Sequence, residues 1–313
     1  MLPSPPSVSG VITVLAGGVG GARLLRALSL VVDPAELTAV INVGDDLVLH
    51  GLTICPDLDT VTYTLAGMND EDRGWGLIDE SWRVMDELAT LGGEAWFRLG
   101  DRDLATHLYR TQRLVEGATK TEVTAEIARR RGVRATLLPA SDDPVATTLE
   151  TLEGSMAFQE YFVRRRHEVT VTAVRVTGLE TARPSAAALH AIESATRVVV
   201  APSNPLLSID PILALPGVRE AVGARGDAIA VSPIVGGAAL KGPADRLMRE
   251  LGLEPSAAGV ADHYGELVAT WVIDELDAGL AGRIGAVGRE VRVTTTVMDD
   301  PGRARALAET VLA

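Results

Sequence analysis

Apolar residues recur along this chain mostly as short continuous runs. "VITVLA" (11–16), "LTAVINV" (37–43), "VRATLLP" (133–139), "EVTVTAVRV" (168–176), "TRVVVAP" (196–202), "DAIAVSP" (227–233), "LVATWVI" (267–273) and "VRVTTTV" (291–297) are rich in β-branched residues, so each is predicted to be a strand. Strands apolar on both faces suit a parallel sheet covered by helices. Leucines at helical spacing fill "ARLLRALSLVV" (22–32). Trp82, Met85, Leu88 and Leu91 repeat every three residues, and Leu104, Leu108 and Leu114 share a face. "GRARALAETVLA" (302–313) closes the chain as a helix. The opening strand, glycine-rich turn, helix and second strand form a right-handed parallel crossover. The expected fold is α/β: a doubly wound, Rossmann-like, mostly parallel sheet with a largely helical insertion over about 60–190. It forms one domain over 11–313, after a disordered leader over 1–10.

Composition narrows the partners. The formal net charge of −13 argues against nucleic-acid binding, which needs a basic face. An anionic small molecule is still admissible, because a local basic pocket or a bound cation reverses the field. Cys55 is the single cysteine, so no disulfide forms within the chain, and it reads as a small buried hydrophobe. No apolar run approaches the roughly 18 residues of a membrane span. The reading is a cytoplasmic protein with no membrane partner.

Ligands of open α/β sheets bind beyond the carboxyl ends of the strands. Gly17, Gly18, Gly20 and Gly21 form one such loop, where glycine lets backbone approach a phosphate and the next helix points its N–H groups at it. Neither generic pattern fits. From Gly17, a nucleotide-triphosphate loop would need glycine, lysine and a hydroxyl where Ala22, Arg23 and Leu24 stand; from Gly18, a dinucleotide loop would need glycine at Arg23. The next loops carry Asp45, Asp46, Asp57 and Asp59 in an otherwise apolar stretch. One of Asp57 and Asp59 is expected to cap a helix. A second carboxylate together with a substrate diphosphate makes a magnesium site, since that hard ion takes oxygen ligands from a few carboxylates and the substrate. "WFRLGDRDLATHLYR" (96–110) offers Arg98, Arg102, His107 and Arg110 to a pocket wall or to solvent, with His107 read as structural. Ser203 and Asn204 offer polar groups for phosphate or base recognition. Gly236, Gly237 and Lys241 read as a second anion cradle or as ordinary turns.

Eight strings in register carry a family resemblance: "GGVGGARLL", "NVGDD", "GLTICPDLDTVTY", "WFRLGDRDLATH", "SDDPVATTLET", "FQEYFV", "PSNPLLSIDPIL" and "SPIVGGAALKGPA". Over about 11–311 the chain resembles the 2-phospho-L-lactate transferases of coenzyme F-420 biosynthesis. The resemblance implies a magnesium-dependent enzyme, dimeric in related members. It would move a phospho-acid from a guanosine diphospho-conjugate to the ribityl hydroxyl of the deazaflavin Fo, releasing GMP. Asp45 and Asp57 are then expected to hold magnesium, with one of them or Asp46 taking the alcohol proton. Gly17 to Gly21 and Arg23 would receive the donor diphosphate. Ser203 and Asn204, with Lys241 nearby, would receive the guanosyl part. Arg102 and Asp59 would hold Fo, with Trp75 stacked on its ring. The lysine-poor, Ala/Arg/Asp-rich composition is that of a high-GC bacterium, which by family analogy favours enolpyruvate over lactate as the acid.

Two rival readings stand beside this one. A Rossmann-type NAD(P) oxidoreductase explains the glycine loop and Asp45 but not the Asp57/Asp59 pair. A non-catalytic deazaflavin or nucleotide carrier could use the same pocket without turnover.

Overall fold

A computed structural model describes residues 10–313, so the expected leader lies, except for Gly10, outside the described residues. The strands are β1 (Ile12–Ala16), β2 (Leu37–Ile41), β3 (Leu47–Leu49), β4 (Leu52–Ile54), β5 (Thr136–Pro139), β6 (Ala146–Thr151), β7 (Gly154–Ala157), β8 (Val171–Thr177), β9 (Arg197–Val200), β10 (Ile229–Val231), β11 (Ile234–Val235), β12 (Ala238–Ala239), β13 (Thr270–Ile273) and β14 (Glu290–Val293). The helices are α1 (Gly18–Leu28), α2 (Pro56–Leu65), α3 (Arg83–Thr90), α4 (Asp101–Val115), α5 (Lys120–Arg130), α6 (Ala186–Ser194), α7 (Asp210–Leu213), α8 (Val218–Gly223), α9 (Ala244–Glu250), α10 (Ala257–Tyr264), α11 (Ala281–Gly285) and α12 (Pro301–Leu312).

Seven strands form one parallel sheet in the order β14-β13-β10-β9-β1-β2-β5. Side chains alternate between two cores. Leu15, Val40, Val198, Val200 and Trp271 pack on one face, and Val14, Ala39, Ile41, Val199 and Val272 on the other. This two-sided burial is why the strands read as continuous apolar runs. The doubly wound α/β expectation therefore holds. From β1 the chain winds outward through β2 to β5, then returns to β9 and winds the other way. The switch between β1 and β9 opens a crevice at their carboxyl ends.

The expected helical insertion is continuous in its helices only as far as Arg130; beyond it, helix returns as one π-helical turn at Glu160–Arg164 and at the start of α6. After Arg130, β5 rejoins the central sheet, and β7, β6 and β8 pair as a small antiparallel sheet. "EVTVTAVRV" supplies β8 of that small sheet, not a central strand. Its burial is partial, as suits a sheet with one solvated face. Helix α4 also departs from its leucine pattern. It buries Asp103, Thr106, His107 and Arg110 and leaves Leu108 exposed, because a polar network outweighs the apolar stripe here. No helix among the described residues is long and apolar enough to cross a membrane.

The first loop is held by close approach. A Cβ on Gly20 would collide with the Pro202 backbone carbonyl, and one on Gly21 would sit 2.8 Å from the Ala16 Cβ. Ordinarily Gly→Ala inside a helix stabilises by up to about 1 kcal/mol. Gly282→Ala in α11, with nothing within 4 Å of the new methyl, is expected to be neutral or stabilising. Gly20→Ala is expected to destabilise by about 1–3 kcal/mol through overpacking. Chemical denaturation of both variants checks the opposite signs; equal effects would contradict the packing account.

Candidate active site

Helix α1 begins one residue after β1 with no side-chain cap of its own. Its first N–H, on Gly18, donates instead to Asp57 Oδ1 at 2.7 Å. The other Asp57 oxygen accepts from Asn42 Nδ2 at 3.0 Å. Asp57 thus joins the loops after β1 and β2 to the first turn of α2. The expectation that Asp57 or Asp59 caps its own helix is corrected: Cys55 occupies the cap position without a side-chain bond. Asp57 lies beyond the cap, in the first turn, and its carboxylate reaches α1 instead.

Asp59 faces Arg110, whose guanidinium grips both carboxylate oxygens. Both side chains are buried. His107 and Asp103 extend the network, with His107 Nε2 3.2 Å from an Asp103 oxygen and Tyr63 Oη donating to Asp103 at 2.6 Å. Asp59, Asp103 and His107 bring three ligand-type atoms within 4.8 Å of one another. Arg110 already supplies the cation there, so the group reads as an ion-pair network. It gives His107 the structural place expected of it.

Asp46 accepts an ion pair from Lys120 Nζ at 2.6 Å. Asp45 has no cationic partner among the described residues. Its Oδ1 is buried without a hydrogen bond, and the Gln159 amide is 3.4 Å from Oδ2. The Asp45 carboxyl is pushed well above the usual range by burial first, then by the charges of Asp57 and Asp46. Burial raises Asp57 to about 6, against the pull of Asn42 and the Gly18 N–H. Burial also raises Asp46, while Lys120 pulls it back. Cys55 is fully buried, and burial lifts its thiol well above the ordinary value, so it is no nucleophile.

Beside this cluster runs a cleft lined by Val19, Gly20 and Arg23 of α1, Pro202 and Asn204 after β9, Ser232 and Pro233 after β10, Lys241, and Thr296 and Met298 after β14. A second recess shares Val19 and Arg23 and adds Tyr63, Thr64, Glu71 and Trp75. Gly20, Arg23, Asn204 and Lys241 are thus brought together, and Arg23 connects them to Trp75.

A family model described as 2-phospho-L-lactate transferase CofD matches residues 12–293. The chain belongs to the CofD family. It is 46% identical over 308 residues to a phosphoenolpyruvate transferase of Streptomyces griseus, covering 96% of this chain and 97% of that protein. It is 40% identical over 299 residues to a 2-phospho-L-lactate transferase of Methanosarcina acetivorans, covering 96% and 97%. Among solved structures, a UPF0052 family member from Bacillus halodurans superposes with a TM-score of 0.64 at 16% identity, over 97% of this chain and 99% of that one. That likeness shows the fold alone. At the level of the family the expected enzyme class holds: this is a phospho-acid transferase.

Not every candidate on this CofD scaffold faces the cleft in the expected way. The Ser203 hydroxyl donates to the Gly17 carbonyl at 2.7 Å and accepts from the Gly17 N–H at 3.1 Å, so it fastens two loops together. Gly17 and Gly21 likewise serve packing. A Cβ on Gly17 would lie 2.6 Å from Asp57 Oδ2. Arg102 donates to the Ile78 carbonyl, and its own N–H donates to Glu80 Oε2, which anchors the loop before α4. Gly236 and Gly237, both at positive φ, turn the β11–β12 hairpin, and the Gly236 N–H is committed to Asp277. They form the tight turn of that hairpin.

Sequence reasoning missed Lys120, Asn42 and Gln159. Asn42 stands inside "NVGDD" and Gln159 inside "FQEYFV", so the strings pointed to the places without giving the roles. Lys120 carried no local signal.

Arg110 offers a direct test of the network. Removing one partner of a buried ion pair costs about 3–5 kcal/mol, so Arg110→Ala is expected to lose that much stability in denaturant unfolding. Arg23→Ala, in the open cleft, is expected to stay within about 0.5 kcal/mol. A loss below about 1 kcal/mol for Arg110→Ala would contradict the network.

Proposed function

We propose that this chain transfers a phospho-acid, phosphoenolpyruvyl or 2-phospho-L-lactyl, from its guanosine diphospho-conjugate to the ribityl hydroxyl of Fo, with release of GMP and with magnesium bound. The observation that carries this reading is a charge count. Four aspartates meet around the switch point. Arg110 balances Asp59 and Lys120 balances Asp46. Asp45 and Asp57 are left without a cationic partner among the described residues, so two carboxylates remain for a bound cation to balance. The orphaned Asp45 Oδ1 supports the fit, because buried unpaired carboxylates call for a cation.

Asp45 and Asp57 would hold the magnesium, a hard ion suited to carboxylates and phosphate oxygens. When bound, it neutralises the donor diphosphate and the charge that builds during phosphoryl transfer. The chain's own residues position the reactants. Arg23 makes no ion pair among the described residues and faces the cleft, where its fork suits the diphosphate. Asn204 commits its Oδ1 to the Leu206 and Leu207 N–H groups. Its Nδ2 is then a donor for guanine, whose O6 and N7 are acceptors. Trp75, 45% exposed and edge-on to Trp82, offers a ring surface beside Arg23.

The Fo hydroxyl oxygen attacks the phosphorus that carries the acid. The bond from that phosphorus to the GMP oxygen breaks, and GMP leaves with the bonding pair as a phosphate monoester. Asp45 or Asp57 takes the hydroxyl proton, since Asp46 is held by Lys120. The composition and the phosphoenolpyruvate transferases among the relatives favour enolpyruvate as the acid. A cytoplasmic homodimer completes the reading, with light scattering as its check.

Purified protein with Fo, magnesium and each guanosine diphospho-conjugate in turn is expected to give GMP and a coupled deazaflavin by chromatography and mass. Asp45→Asn and Asp57→Asn are expected to lose at least about 10²-fold in turnover while unfolding cooperatively. Fo binding with no product from either donor would instead favour a carrier. Turnover unaffected by both substitutions would overturn the site assignment.

A further inference from the structure

Lysine is almost absent from this chain. Only Lys120 and Lys241 occur in 313 residues, although Lys and Arg together number 29. Arginine therefore serves nearly every cationic position, surface and interior. Lys241 lines the cleft. Lys120 is 8% exposed and pairs with Asp46, next to Asp45. Both lysines therefore belong to the neighbourhood of the candidate site.

The place of Lys120 is locally unfavourable. It is the first residue of α5, whose start is already completed by a reciprocal Thr119–Glu122 capping box. A cation there opposes the helix dipole, and burial adds a desolvation cost. Nothing in the helix itself asks for it. The Thr121 N–H and hydroxyl are also satisfied, by Asp142 at 2.7 and 3.0 Å. What Lys120 gains is Asp46, 74 residues earlier in the chain. The compact ammonium engages Asp46 Oδ2, while Asp46 Oδ1 is buried with no hydrogen-bond partner among the described residues.

We propose that Lys120 is a positioning residue that holds Asp46 out of the cation site, so that Asp45 and Asp57, and not Asp46, receive the metal. This rests on the reading that Asp45 and Asp57 hold a divalent cation. Asp46 follows Asp45 directly in the chain and lies close enough for its charge to act on both Asp45 and Asp57, so a freed Asp46 side chain would compete for the same ion. The ammonium takes Asp46 away, ties down the turn that carries Asp45 and Asp46, and leaves two carboxylates for the ion. A lysine used only to stabilise the fold would have no such selective effect. Asp46 is then a partner of Lys120 and not the proton acceptor.

The double-mutant cycle of Lys120 and Asp46 tests this, with Mn²⁺ as the probe and the free ion counted by electron paramagnetic resonance, in the absence of substrate. Lys120→Met frees the Asp46 carboxylate and is expected to tighten Mn²⁺ binding at least threefold, while turnover falls at least tenfold because the ion is drawn off its site. Asp46→Asn leaves an unpaired ammonium and is expected to weaken Mn²⁺ binding at least tenfold. Asp46→Asn/Lys120→Met removes both charges and is expected to return affinity and turnover to within about threefold of wild type. Should Lys120→Met fail to fold, the other two variants still decide the matter. Weakened binding in Asp46→Asn that the double variant does not restore would overturn the proposal, as would a double variant that binds Mn²⁺ but cannot turn over. A purely structural lysine would give weaker binding in Lys120→Met in step with lost stability, which would also overturn it. Wild-type protein that binds no Mn²⁺ would remove the underlying cation reading as well; normal wild-type binding without the opposed shifts would remove this inference alone.

Discussion

The carboxylate of Asp57 is the constraint on which the site depends. One oxygen takes the first N–H of α1 and the other takes the Asn42 amide. A helix start normally asks for a cap from its own N-terminal residue. Here Gly17 supplies none, and the donor is satisfied by a residue 39 positions later. That arrangement draws the loops after β1 and β2 together with α2, and requires glycine at position 17, since a Cβ would press on Asp57. The glycine-rich loop is thus shaped as much by protein groups packed against it as by any anion.

Once Asp57 is fixed, the other charges follow in pairs. Asp59 lies two residues on, turned toward α4, where Arg110 closes on it. Asp46 meets Lys120 from α5. Each buried pair is neutral and ties a distant helix to the site: Arg110 of α4 to Asp59 in α2, and Lys120 of α5 to Asp46 in the turn after β2. Breaking any of them leaves a buried charge, which is expensive. Asp45 and Asp57 face no cation among the described residues, and Asp45 Oδ1 has no hydrogen-bond partner among them either. The site is therefore an incomplete electrostatic assembly set at the carboxyl ends of a well-packed parallel sheet, and the cleft with Arg23 and Lys241 lies alongside it.

Much of this was legible in the sequence because it rests on local pattern. The runs that became β1, β2, β9, β10 and β13 are apolar on both faces, and the strand–glycine–helix opening has one common topology. The four aspartates were conspicuous because charge is rare in such apolar surroundings. Their division of labour was not legible. Arg110 and Lys120 reach Asp59 and Asp46 across 51 and 74 residues, and no spacing rule reports pairs that only tertiary folding creates. Helix α4 misled for the same reason, since its buried face is largely polar and, although Leu104 packs on a small core cluster, Leu108 is exposed. Ser203 and Arg102 were singled out by residue type and position after a strand or before a helix, and the structure gives both of them backbone carbonyls to hold. The strand that became β8 was legible from its β-branched run, but β6, β7 and their separate antiparallel sheet were not, because pairing across that sheet is a tertiary choice.

The most direct test of this account is to locate the ion. A crystal of the protein grown with Mn²⁺ and the guanosine diphospho-conjugate can be read by anomalous diffraction at the manganese edge. The account predicts one peak, bonded to carboxylate oxygens of Asp45 and Asp57 and to the donor phosphates. A peak among Asp59, Asp103 and His107, or bonding to Asp46 with Lys120 displaced, would contradict it.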